Sequence, residues 1–394
     1  MKILVVCQYY YPENFVITNI CEKLVEQGND VTVLTGKPNY GYGYILKEYK
    51  DINYEEIYGV KVHRVDVFPR QKTRLSIIKN YLSFWKNSKK WVRQTKEKFD
   101  IVYSMSLSPV TILSAGNLYK KLHNVKHVVH CVDLWPESVL VTHAVKEKSI
   151  FYKILYKWSK ELYSKVDKVL IGSPSFEEYF KNVLKLNLPM EFVPQPSLLE
   201  KSDIEPYKFD EGFNILYCGN LGTIQLIPEM VEAMKNVTDP RIKLHVIGMG
   251  PLSDYLVKEI ETNNLQDKII YHGPIIAKKA VAYFKSADAF YVSLKDDGCV
   301  GKTIPNKLVM YMAFGKPVIG MINGDGKTAI ENANCGEISL QNPLILAKIL
   351  DKFATLSNEE KEKLGANAQA YHASNFSLDF ISKKINDLLL NELL

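Results

Sequence analysis

A Gly-Lys-Thr triplet at residues 301–303 has the composition of a phosphate-binding loop. In the loop of nucleotide triphosphatases, a glycine five residues before this triplet lets successive backbone amides surround the phosphates. Asp296 occupies that place here, and its carboxylate would repel a phosphate. Pro305 also follows Thr303 after one residue. We therefore expect a different kind of phosphate site, whose nature has to come from the rest of the chain.

Three other segments of the second half carry glycines directly after strand-like runs. They read YCGNLGTIQ (217–225), VIGMGP (246–251) and YHGP (271–274). Glycine lets backbone amides come close to a phosphate at a helix N-terminus, where the helix dipole also favours an anion. Any one of these loops could equally be an ordinary strand-to-helix turn. Three of them, together with residues 301–307, favour a phosphate site.

Two common nucleotide chemistries are disfavoured by what these segments lack. The first strand-like run is followed by CQYYYPEN, which has no glycine and therefore no dinucleotide-binding G-x-G-x-x-G. The chain has no Asp-x-Asp pair to chelate a metal ion beside a sugar nucleotide. Cations or a helix dipole would then have to stabilise a leaving diphosphate. Lys302 and Lys307 are the nearest cations.

The segment HVVHCVDLWPES places an acid in the first half of the chain. Asp133 follows a strand-like run, and Glu137 and Ser138 begin the next element. Asp133 could orient or polarise a hydroxyl group, or it could simply cap a helix. His127 and His130 lie an odd number of residues apart, so on a strand they face opposite sides and make a poor metal pair.

Short apolar runs alternate with amphipathic segments of helical length, which predicts an α/β fold with parallel sheets. The runs are KILVVCQ, DVTVLTG, GVKVHRVDV, FDIVYSM, KHVVHCV and DKVLIGS, then FNILYCGN, IKLHVIG, KIIYHG, DAFYVSL and KPVIGM. We expect a first helix over Asn14–Glu26, ended by Gly28. The pattern restarts after FVPQPS, so we expect two doubly wound halves with ligands at the carboxyl ends of their strands.

The amino-acid composition limits the classes of protein to which the chain can belong. The chain has 394 residues, 46% of them hydrophobic and 24% charged, as in soluble globular proteins of two domains. Its six cysteines are dispersed, which fits reduced thiols better than disulfides. The apolar run at the N-terminus is too short for a signal peptide. No apolar run approaches the ~20 residues that a bilayer span requires.

The net charge of +6 is concentrated in residues 70–96, which contain nine lysines or arginines and no acid. No nucleic-acid-binding signature accompanies them. On a helix the larger apolar side chains fall towards one side, either for core packing or for a membrane interface. They are Ile77, Ile78, Tyr81, Leu82, Trp85, Trp91 and Val92. The excess of cations favours contact with an anionic membrane.

Taken together, these motifs resemble the retaining glycosyltransferases of family 4, which have the GT-B fold. The resemblance is to the bacterial polysaccharide branch that includes N-acetyl-L-fucosamine transferases. It is carried by QYYYPEN, GNDVTVLTGKPNYGYG, DLWPES, YCGNLGTIQ and IPNKLVMYMAFGKPVI. It implies two Rossmann-like doubly wound domains with an interdomain cleft. The expected parts are an acceptor domain (1–195), a nucleotide-sugar domain (196–374) and a C-terminal helix (375–394) that returns to the first domain.

Together with the glycine-bearing strand ends, the resemblance implies the site residues. The donor-binding set is Gly219, Asn220, Gly222, Thr223, Gln225, Gly248, Gly250, Gly273, Lys302, Thr303, Pro305, Asn306, Lys307 and Leu308. The acceptor-binding set is Tyr11, Glu13, Asn14 and Glu137. The catalytic set is Asp133, Lys302 and Lys307, without metal or cofactor. The backbone amides of residues 219–223 would help to stabilise the leaving diphosphate.

The chain also departs from the family pattern. Two glutamates usual around the donor helix correspond to Lys302 and Met310, and an arginine and a lysine of the glycine loop correspond to Asn220 and Gln225. The glycine pair after the first strand is replaced by Asn14 and Phe15. Lys302 is therefore expected to take over part of the phosphate contact.

The resemblance implies an enzyme that moves an N-acetylated hexosamine or 6-deoxyhexosamine from a uridine diphosphate (UDP) sugar to a lipid-linked saccharide. Capsule and O-antigen are the expected products, made at the inner face of the cell membrane. Since a fold does not fix an activity, a sugar-nucleotide epimerase or hydrolase and a two-domain binding protein stay open.

Overall fold

The structure of the chain is a computed structural model that describes residues 1–141, 146, 149–197 and 203–394. The chain folds into two units. The first contains residues 1–195 together with 378–394, and the second contains residues 196–377. Each unit has its own sheet with flanking helices.

The strands of the first unit form an eight-stranded sheet, and those of the second form a six-stranded sheet. In the first unit they are β1 (Lys2–Val6), β2 (Asp30–Gly36), β3 (Tyr54–Ile57), β4 (Val60–Val65), β5 (Ile101–Ser106), β6 (Lys126–Cys131), β7 (Lys168–Ile171) and β8 (Met190–Phe192). In the second they are β9 (Phe213–Cys218), β10 (Ile242–Ile247), β11 (Ile269–Gly273), β12 (Ala289–Ser293), β13 (Val318–Met321) and β14 (Gly336–Ile338).

The helices follow the strands in alternation. They are α1 (Ile17–Glu26), α2 (Arg74–Gln94), α3 (Leu113–His123), α4 (Glu137–Val141), α5 (Ile150–Tyr163), α6 (Phe176–Glu178), α7 (Ile227–Asn236), α8 (Ser253–Thr262), α9 (Ala277–Ser286), α10 (Asn306–Phe314), α11 (Gly324–Ala333), α12 (Pro343–Thr355), α13 (Asn358–Asn375) and α14 (Leu378–Asn391). None of the helices in the described residues combines the length and the apolar character that a bilayer span requires.

The sheet orders identify where ligands should bind. The first sheet runs β3-β4-β2-β1-β5-β6-β7-β8, and the second runs β11-β10-β9-β12-β13-β14. All neighbours are parallel except β3 and β4. The order reverses between β1 and β5 and between β9 and β12, and ligands of such sheets bind outside the carboxyl ends of the strands at that point.

Alternate residues of β1 enter two separate cores, because successive side chains of a strand face opposite sides. Ile3 and Val5 belong to the core that α1 and α14 complete. Leu4 and Val6 belong to a second core with Phe84 of α2. Burial on both faces explains why the parallel strands read as continuous apolar runs.

Every run predicted to be a strand forms one, and the doubly wound α/β prediction is confirmed. The first helix begins at Ile17 and not at Asn14, because tight turns occupy the residues between. In these turns the Phe15 N–H donates to the Glu13 carbonyl and the Thr18 N–H donates to that of Phe15. Gly28 follows the end of this helix with φ +84°, as expected. None of the six cysteines forms a disulfide within the described residues.

The interior face of α2 differs from the predicted one. Its buried side chains are Ser76, Asn80, Phe84, Ser88 and Val92. The large apolar side chains predicted to share one side are therefore divided. Ile78 and Leu82 are exposed, whereas Trp85 is half-buried. Its ring packs edge-on against that of Trp158 of α5, with 6.0 Å between the ring centres. Three of the five buried residues are serine or asparagine, which carry no hydrophobic signal.

Candidate active site

Lys307 lies in the first turn of α10 and reaches the end of β9. Its Nζ atom donates a hydrogen bond of 2.9 Å to the Tyr217 hydroxyl and lies 4.3 Å from the centre of that ring. One turn later on the same helix face, the Tyr311 hydroxyl accepts a hydrogen bond of 2.9 Å from the Cys218 N–H. A β-carbon at position 219 would lie 3.4 Å from the Lys307 Nζ. The structure thus brings Lys307 and the loop after β9 together.

The Lys307 ammonium group has no carboxylate partner among the described residues. Tyr217, which accepts its hydrogen bond, donates in turn to the Asn220 carbonyl at 2.6 Å. Burial lowers the pKa of Lys307 to about 7, because an ammonium ion is poorly solvated there. A phosphate oxygen beside Nζ would stabilise the charged form, so this position favours an anionic ligand.

Backbone hydrogen bonds join the loops that follow β9, β10 and β11. The Gly219 N–H donates to the Ile247 carbonyl, and the Gly248 N–H donates to the Gly273 carbonyl, each at 2.9 Å. These bonds continue the parallel ladder beyond the strands. The three glycines predicted to bind the donor therefore lie in adjacent loops at one sheet edge.

The same bonds correct the prediction that all amides of residues 219–223 are available to a diphosphate. The Gly219 N–H is engaged, and the Leu221 N–H donates to the Met249 carbonyl at 3.0 Å. Three amides of this loop make no hydrogen bond within the described part of the chain. They belong to Asn220, Gly222 and Thr223.

Two glycines permit the close packing of these loops. A β-carbon at position 248 would lie 1.8 Å from the Gly219 carbonyl oxygen. A β-carbon at position 250 would lie 2.5 Å from the Leu221 carbonyl oxygen. Any larger residue at either position would push the loops apart. Gly248 and Gly250 therefore shape the loop that carries the three available amides.

The carboxamides of Asn220 and Gln225 lie next to Gly222. A β-carbon at position 222 would lie 2.5 Å from the Gln225 Oε1 and 2.8 Å from the Asn220 Nδ2. The Gln225 Oε1 is buried and has no hydrogen-bond partner among the described residues. The Gln225 carbonyl accepts a hydrogen bond of 2.6 Å from the Ser293 hydroxyl at the end of β12. The loops after the two switch-point strands are thereby joined.

The Gly-Lys-Thr triplet forms a closed turn, in agreement with the expectation that it is not a triphosphatase loop. The Gly301 N–H donates to the Asp297 carbonyl at 3.1 Å, and the Thr303 hydroxyl donates to the Val300 carbonyl at 2.9 Å. The backbone of Lys302 packs against Gly324, where a β-carbon would lie 2.5 Å from the Lys302 carbonyl oxygen. Lys302 thus belongs to a turn that precedes the helix of Lys307.

The residues between this turn and Lys307 start the helix. Pro305 is the N-cap of α10, and Asn306 is its first residue. Leu308 is fully buried, and its N–H donates to the Pro305 carbonyl at 2.9 Å. This placement corrects the prediction for Leu308, because neither its side chain nor its N–H can reach a donor.

In the first unit, Asp133 lies in the loop after β6 and is half-buried. Its Oδ2 accepts a hydrogen bond of 2.9 Å from the Ser108 hydroxyl, which lies 3.2 Å from the Ser138 hydroxyl. Burial raises the pKa of Asp133, whereas the hydrogen bonds oppose that rise. Asp133 precedes Glu137, the first residue of α4, by four positions, so it is not the residue that directly precedes the helix.

Glu13 fixes the loop after β2. Its buried carboxylate accepts hydrogen bonds from the backbone N–H groups of Asn39, at 2.6 Å, and Tyr40. Burial raises the pKa of Glu13, and these hydrogen bonds oppose the rise. Its carboxylate is therefore already engaged, and this geometry supports a positioning role more than direct contact with an acceptor.

The other residues predicted to bind the acceptor lie in two places. Tyr11 and Asn14 are exposed in the loop after β1, where the Tyr11 ring meets Tyr58 edge-on at 6.0 Å. Glu137 accepts a hydrogen bond of 2.6 Å from the Tyr152 hydroxyl, which links α4 to α5. Among the described residues, no three histidine, cysteine, aspartate or glutamate side chains are arranged to hold a metal ion.

Tyr217, Tyr311 and Ser108 complete these sites but are absent from the sequence-based set. Tyr217 lies between apolar residues inside a buried strand, so its sequence context indicates only core packing. Tyr311 could have been found, because it follows Lys307 by one helical turn and must share its face. Ser108 lies two residues after β5, and the pairing of β5 with β6 brings it beside Asp133.

Two family models match the chain in succession. Residues 14–194 match a "Glycosyl transferase 4-like domain", and residues 212–355 match "Glycosyl transferases group 1". A probable glycosyltransferase of Pseudomonas aeruginosa, WbjE, is 23% identical over 300 residues, which are 72% of this chain and 72% of that protein.

Solved structures of similar fold cover almost the whole chain. Anabaena HepE in complex with UDP has a TM-score of 0.68 at 13% identity, with 99% of this chain and 100% of that chain covered. WaaG, described as a glycosyltransferase involved in lipopolysaccharide biosynthesis, has a TM-score of 0.66 at 14% identity, with 99% of each chain covered. These likenesses confirm the prediction of a GT-B fold with two Rossmann-like domains.

Proposed function

We propose that this chain, a glycosyltransferase with a GT-B fold, transfers a sugar from a UDP-sugar to a lipid-linked saccharide in surface polysaccharide synthesis. The transferred sugar is an N-acetylated hexosamine or a 6-deoxyhexosamine, and its anomeric configuration is retained. Capsule and O-antigen are the product classes that fit. The donor sugar and the retention of configuration rest on the family resemblance of the sequence.

The observation that carries the proposal is the position of Lys307. A cation with no carboxylate partner among the described residues lies against Gly219, at the switch point of the second sheet. The N–H groups of Asn220, Gly222 and Thr223 in the same loop make no hydrogen bond to any residue that the structure describes. A diphosphate needs such cations and amide donors. The similar fold of HepE in its complex with UDP supports a UDP-sugar as the donor.

The chemistry follows from these groups. When the bond between the anomeric carbon and the UDP oxygen breaks, negative charge develops on the diphosphate. Lys307 and the three amides would stabilise that charge without a metal ion. Asp133 would accept a hydrogen bond from the acceptor hydroxyl and take up its proton as the hydroxyl oxygen forms the new bond to the anomeric carbon. Ser108 would hold the Asp133 carboxylate in place through its hydrogen bond.

The outward face of α2 supports an acceptor embedded in a membrane. Its first half exposes Leu75, Ile78 and Leu82, and its second half carries Lys86, Lys90 and Arg93 on the same face. The neighbouring α5 exposes Ile150, Phe151 and Ile154. Exposed apolar side chains beside cations suit the surface of an anionic membrane. We therefore propose that the enzyme works at a membrane surface, and the inner face of the cell membrane is the side that the family resemblance implies.

Calorimetric titration of the full chain with a panel of nucleotides and nucleotide sugars tests this function. We expect UDP and one UDP-sugar to bind, and the bound sugar to be transferred to a lipid-linked acceptor. Absence of UDP binding would overturn the proposal. Release of free UDP that no acceptor accelerates would indicate a hydrolase, and sugar-nucleotide isomers would indicate an epimerase. Binding without any turnover would indicate a ligand-binding protein.

A further inference from the structure

Arg70 occupies the loop between β4 and α2, at the carboxyl edge of the first sheet. Its backbone N–H donates a hydrogen bond of 2.9 Å to the Asn39 Oδ1, which also accepts one of 3.0 Å from the Asn80 Nδ2. Asn39 and Asn80 are both buried. The backbone of Arg70 is thus fixed by the loop after β2 and by the inner face of α2.

Three tyrosines surround the half-buried guanidinium group. Its Nη1 donates to the Tyr9 hydroxyl at 2.7 Å and to the Tyr81 hydroxyl at 3.0 Å. Its central carbon lies 5.0 Å from the ring centre of Tyr40 and 5.3 Å from that of Tyr81. Aromatic faces and phenol oxygens stabilise a cation without neutralising it. The positive charge therefore remains available to a ligand.

No carboxylate pairs with Arg70 among the described residues, and its Nη2 and Nε have no hydrogen-bond partner there. The carboxylates of this sheet edge have other partners, since Glu13 binds backbone N–H groups and Asp133 accepts from Ser108. Arg64 shows the contrasting arrangement in the same unit. It is buried, pairs with the Glu55 carboxylate, and so is neutralised within the fold.

The charges of both Arg70 and the predicted catalytic aspartate act on the Tyr81 phenol. Burial raises the pKa of the Tyr81 phenol, Arg70 lowers it, and Asp133 raises it further. The phenol therefore lies within electrostatic reach of both groups. A ligand that extends along this edge would meet Asp133 in one part and the free side of the Arg70 guanidinium in another.

We propose that Arg70, held by Tyr9, Tyr40 and Tyr81, binds the phosphate group through which the acceptor saccharide is attached to its lipid. The inference rests on the proposed function, and it assigns the first unit a cationic contact for the acceptor. Two free N–H directions of a guanidinium match two oxygens of one phosphate, which a lysine cannot do. Arg70 belongs to the basic segment 70–96, for which we expected contact with the membrane. We now assign it to binding of the acceptor instead.

The test is calorimetric titration of the full chain with farnesyl diphosphate, inorganic pyrophosphate and farnesol, each at saturating UDP. We expect farnesyl diphosphate to bind and Arg70→Gln to weaken that binding by about 10- to 100-fold, the range for a charge-assisted hydrogen bond. Arg70→Lys should weaken it less, because the charge remains. Lys98→Gln, which removes an exposed cation just before β5, is the matched control and should leave the affinity unchanged.

Three outcomes would overturn the inference. One is that farnesyl diphosphate binds a folded Arg70→Gln or Arg70→Lys protein as tightly as the unaltered chain. Another is that the unaltered chain binds no farnesyl diphosphate. A third is that pyrophosphate binds as tightly as farnesyl diphosphate, which would indicate a site for free phosphate. Failure of UDP itself to bind would contradict the proposed function, and titrations without UDP would still compare the Arg70 variants.

Discussion

Lys307 and Arg70, one in each unit, are held by phenol groups and not by carboxylates. Tyr217 accepts from the ammonium group, and Tyr9 and Tyr81 accept from the guanidinium group. A carboxylate in these places would cancel the charge and repel a phosphate. A phenol oxygen positions the cation without adding a negative charge beside it. This choice of partner distinguishes the two proposed binding cations from a structural one such as Arg64.

Replacing Lys307 tests the donor half of the site. A charge-assisted hydrogen bond contributes roughly 1.5 to 3 kcal/mol, so Lys307→Ala should weaken UDP binding by about one to two decades. Calorimetry measures the change. Lys363→Ala, on the exposed surface of α13 in the same unit, is the matched control and should bind UDP normally. An unchanged UDP affinity in Lys307→Ala would remove this lysine from the site.

The lowered pKa of Lys307 makes a further prediction about pH. With a pKa of about 7 in the free protein, Lys307 is mostly neutral at pH 8. A bound diphosphate favours the ammonium form, so UDP binding should take up a proton and should weaken as the pH rises above 7. The terminal phosphate of UDP is already ionised there, since its second pKa is about 6.

Titrations at pH 8 in buffers of different ionisation enthalpy measure the proton uptake. It should disappear in Lys307→Ala. If UDP binds to the unaltered chain at pH 8 with no proton uptake, Lys307 is not the group that meets the diphosphate.

Asp133→Asn tests the proposed role in turnover. The amide keeps an oxygen that can accept the Ser108 hydrogen bond, so the melting temperature and UDP affinity should stay near normal. Loss of the carboxylate charge should lower kcat by about 100-fold or more, the scale of positioning and proton-transfer effects. A variant that melts early but turns over normally per folded molecule would show that Asp133 only supports the loop.

The sequence contains enough information to locate the proposed donor loop but not to describe it. Lys307 could be predicted because it begins a helix after a turn, where anions bind. The engaged amides of Gly219 and Leu221 could not, because their acceptors lie at the end of β10 and just after it, 28 residues further along the chain. Arg70 appeared to belong to a basic segment, and its tyrosine contacts depend on where β1, β2 and α2 meet.

At the scale of elements, the buried parallel strands and the edge strand β11 were predictable, whereas the other three edge strands were not. β3, β8 and β14 each lie at the edge of a sheet. They have three or four residues, and an edge strand is covered on one side only, so it shows no continuous apolar run. The buried face of α2 was predicted wrongly for a different reason. Asn80 on this face belongs to a buried polar network. A pattern of hydrophobic residues cannot predict a buried face that is partly polar.

The exposed face of α2 gives an element-scale prediction. Anionic lipid attracts nearby basic residues by about 1 kcal/mol each. Changing Lys86, Lys89, Lys90 and Arg93 to glutamine should therefore reduce binding to anionic vesicles and activity on a lipid-linked acceptor. Donor affinity should not change, because the predicted donor residues lie in the other unit. Vesicle co-sedimentation at low salt measures the binding.

A charge-matched variant controls for net charge. Lys258, Lys278, Lys279 and Lys363 are exposed on helices of the second unit, and their change to glutamine removes the same four charges. This control should keep vesicle binding. The membrane proposal fails if the unaltered protein does not bind anionic vesicles at low salt, or if both variants lose binding equally.

At the scale of the whole molecule, the end of the chain completes the core of its beginning. The α14 side chains Ile381, Ile385 and Leu389 are fully buried in the core that contains β1 and α1. Polar contacts support this packing, including an ion pair of 2.6 Å between Lys168 and Glu392. The core of the first unit is therefore complete only with α14 packed against it.

Tryptophan fluorescence reports on the unfolding of the first unit, since all four tryptophans lie there, at positions 85, 91, 135 and 158. Ile385→Ala leaves a cavity in a buried core and should lower the free energy of unfolding of that unit by about 2 to 5 kcal/mol. Tryptophan fluorescence in a denaturant titration measures the shift, whereas UDP affinity should stay normal. Leu390→Ala, on the exposed side of the same helix, should change stability by less than about 0.5 kcal/mol. Equal shifts in the two variants would mean that α14 adds no specific packing to the N-terminal core.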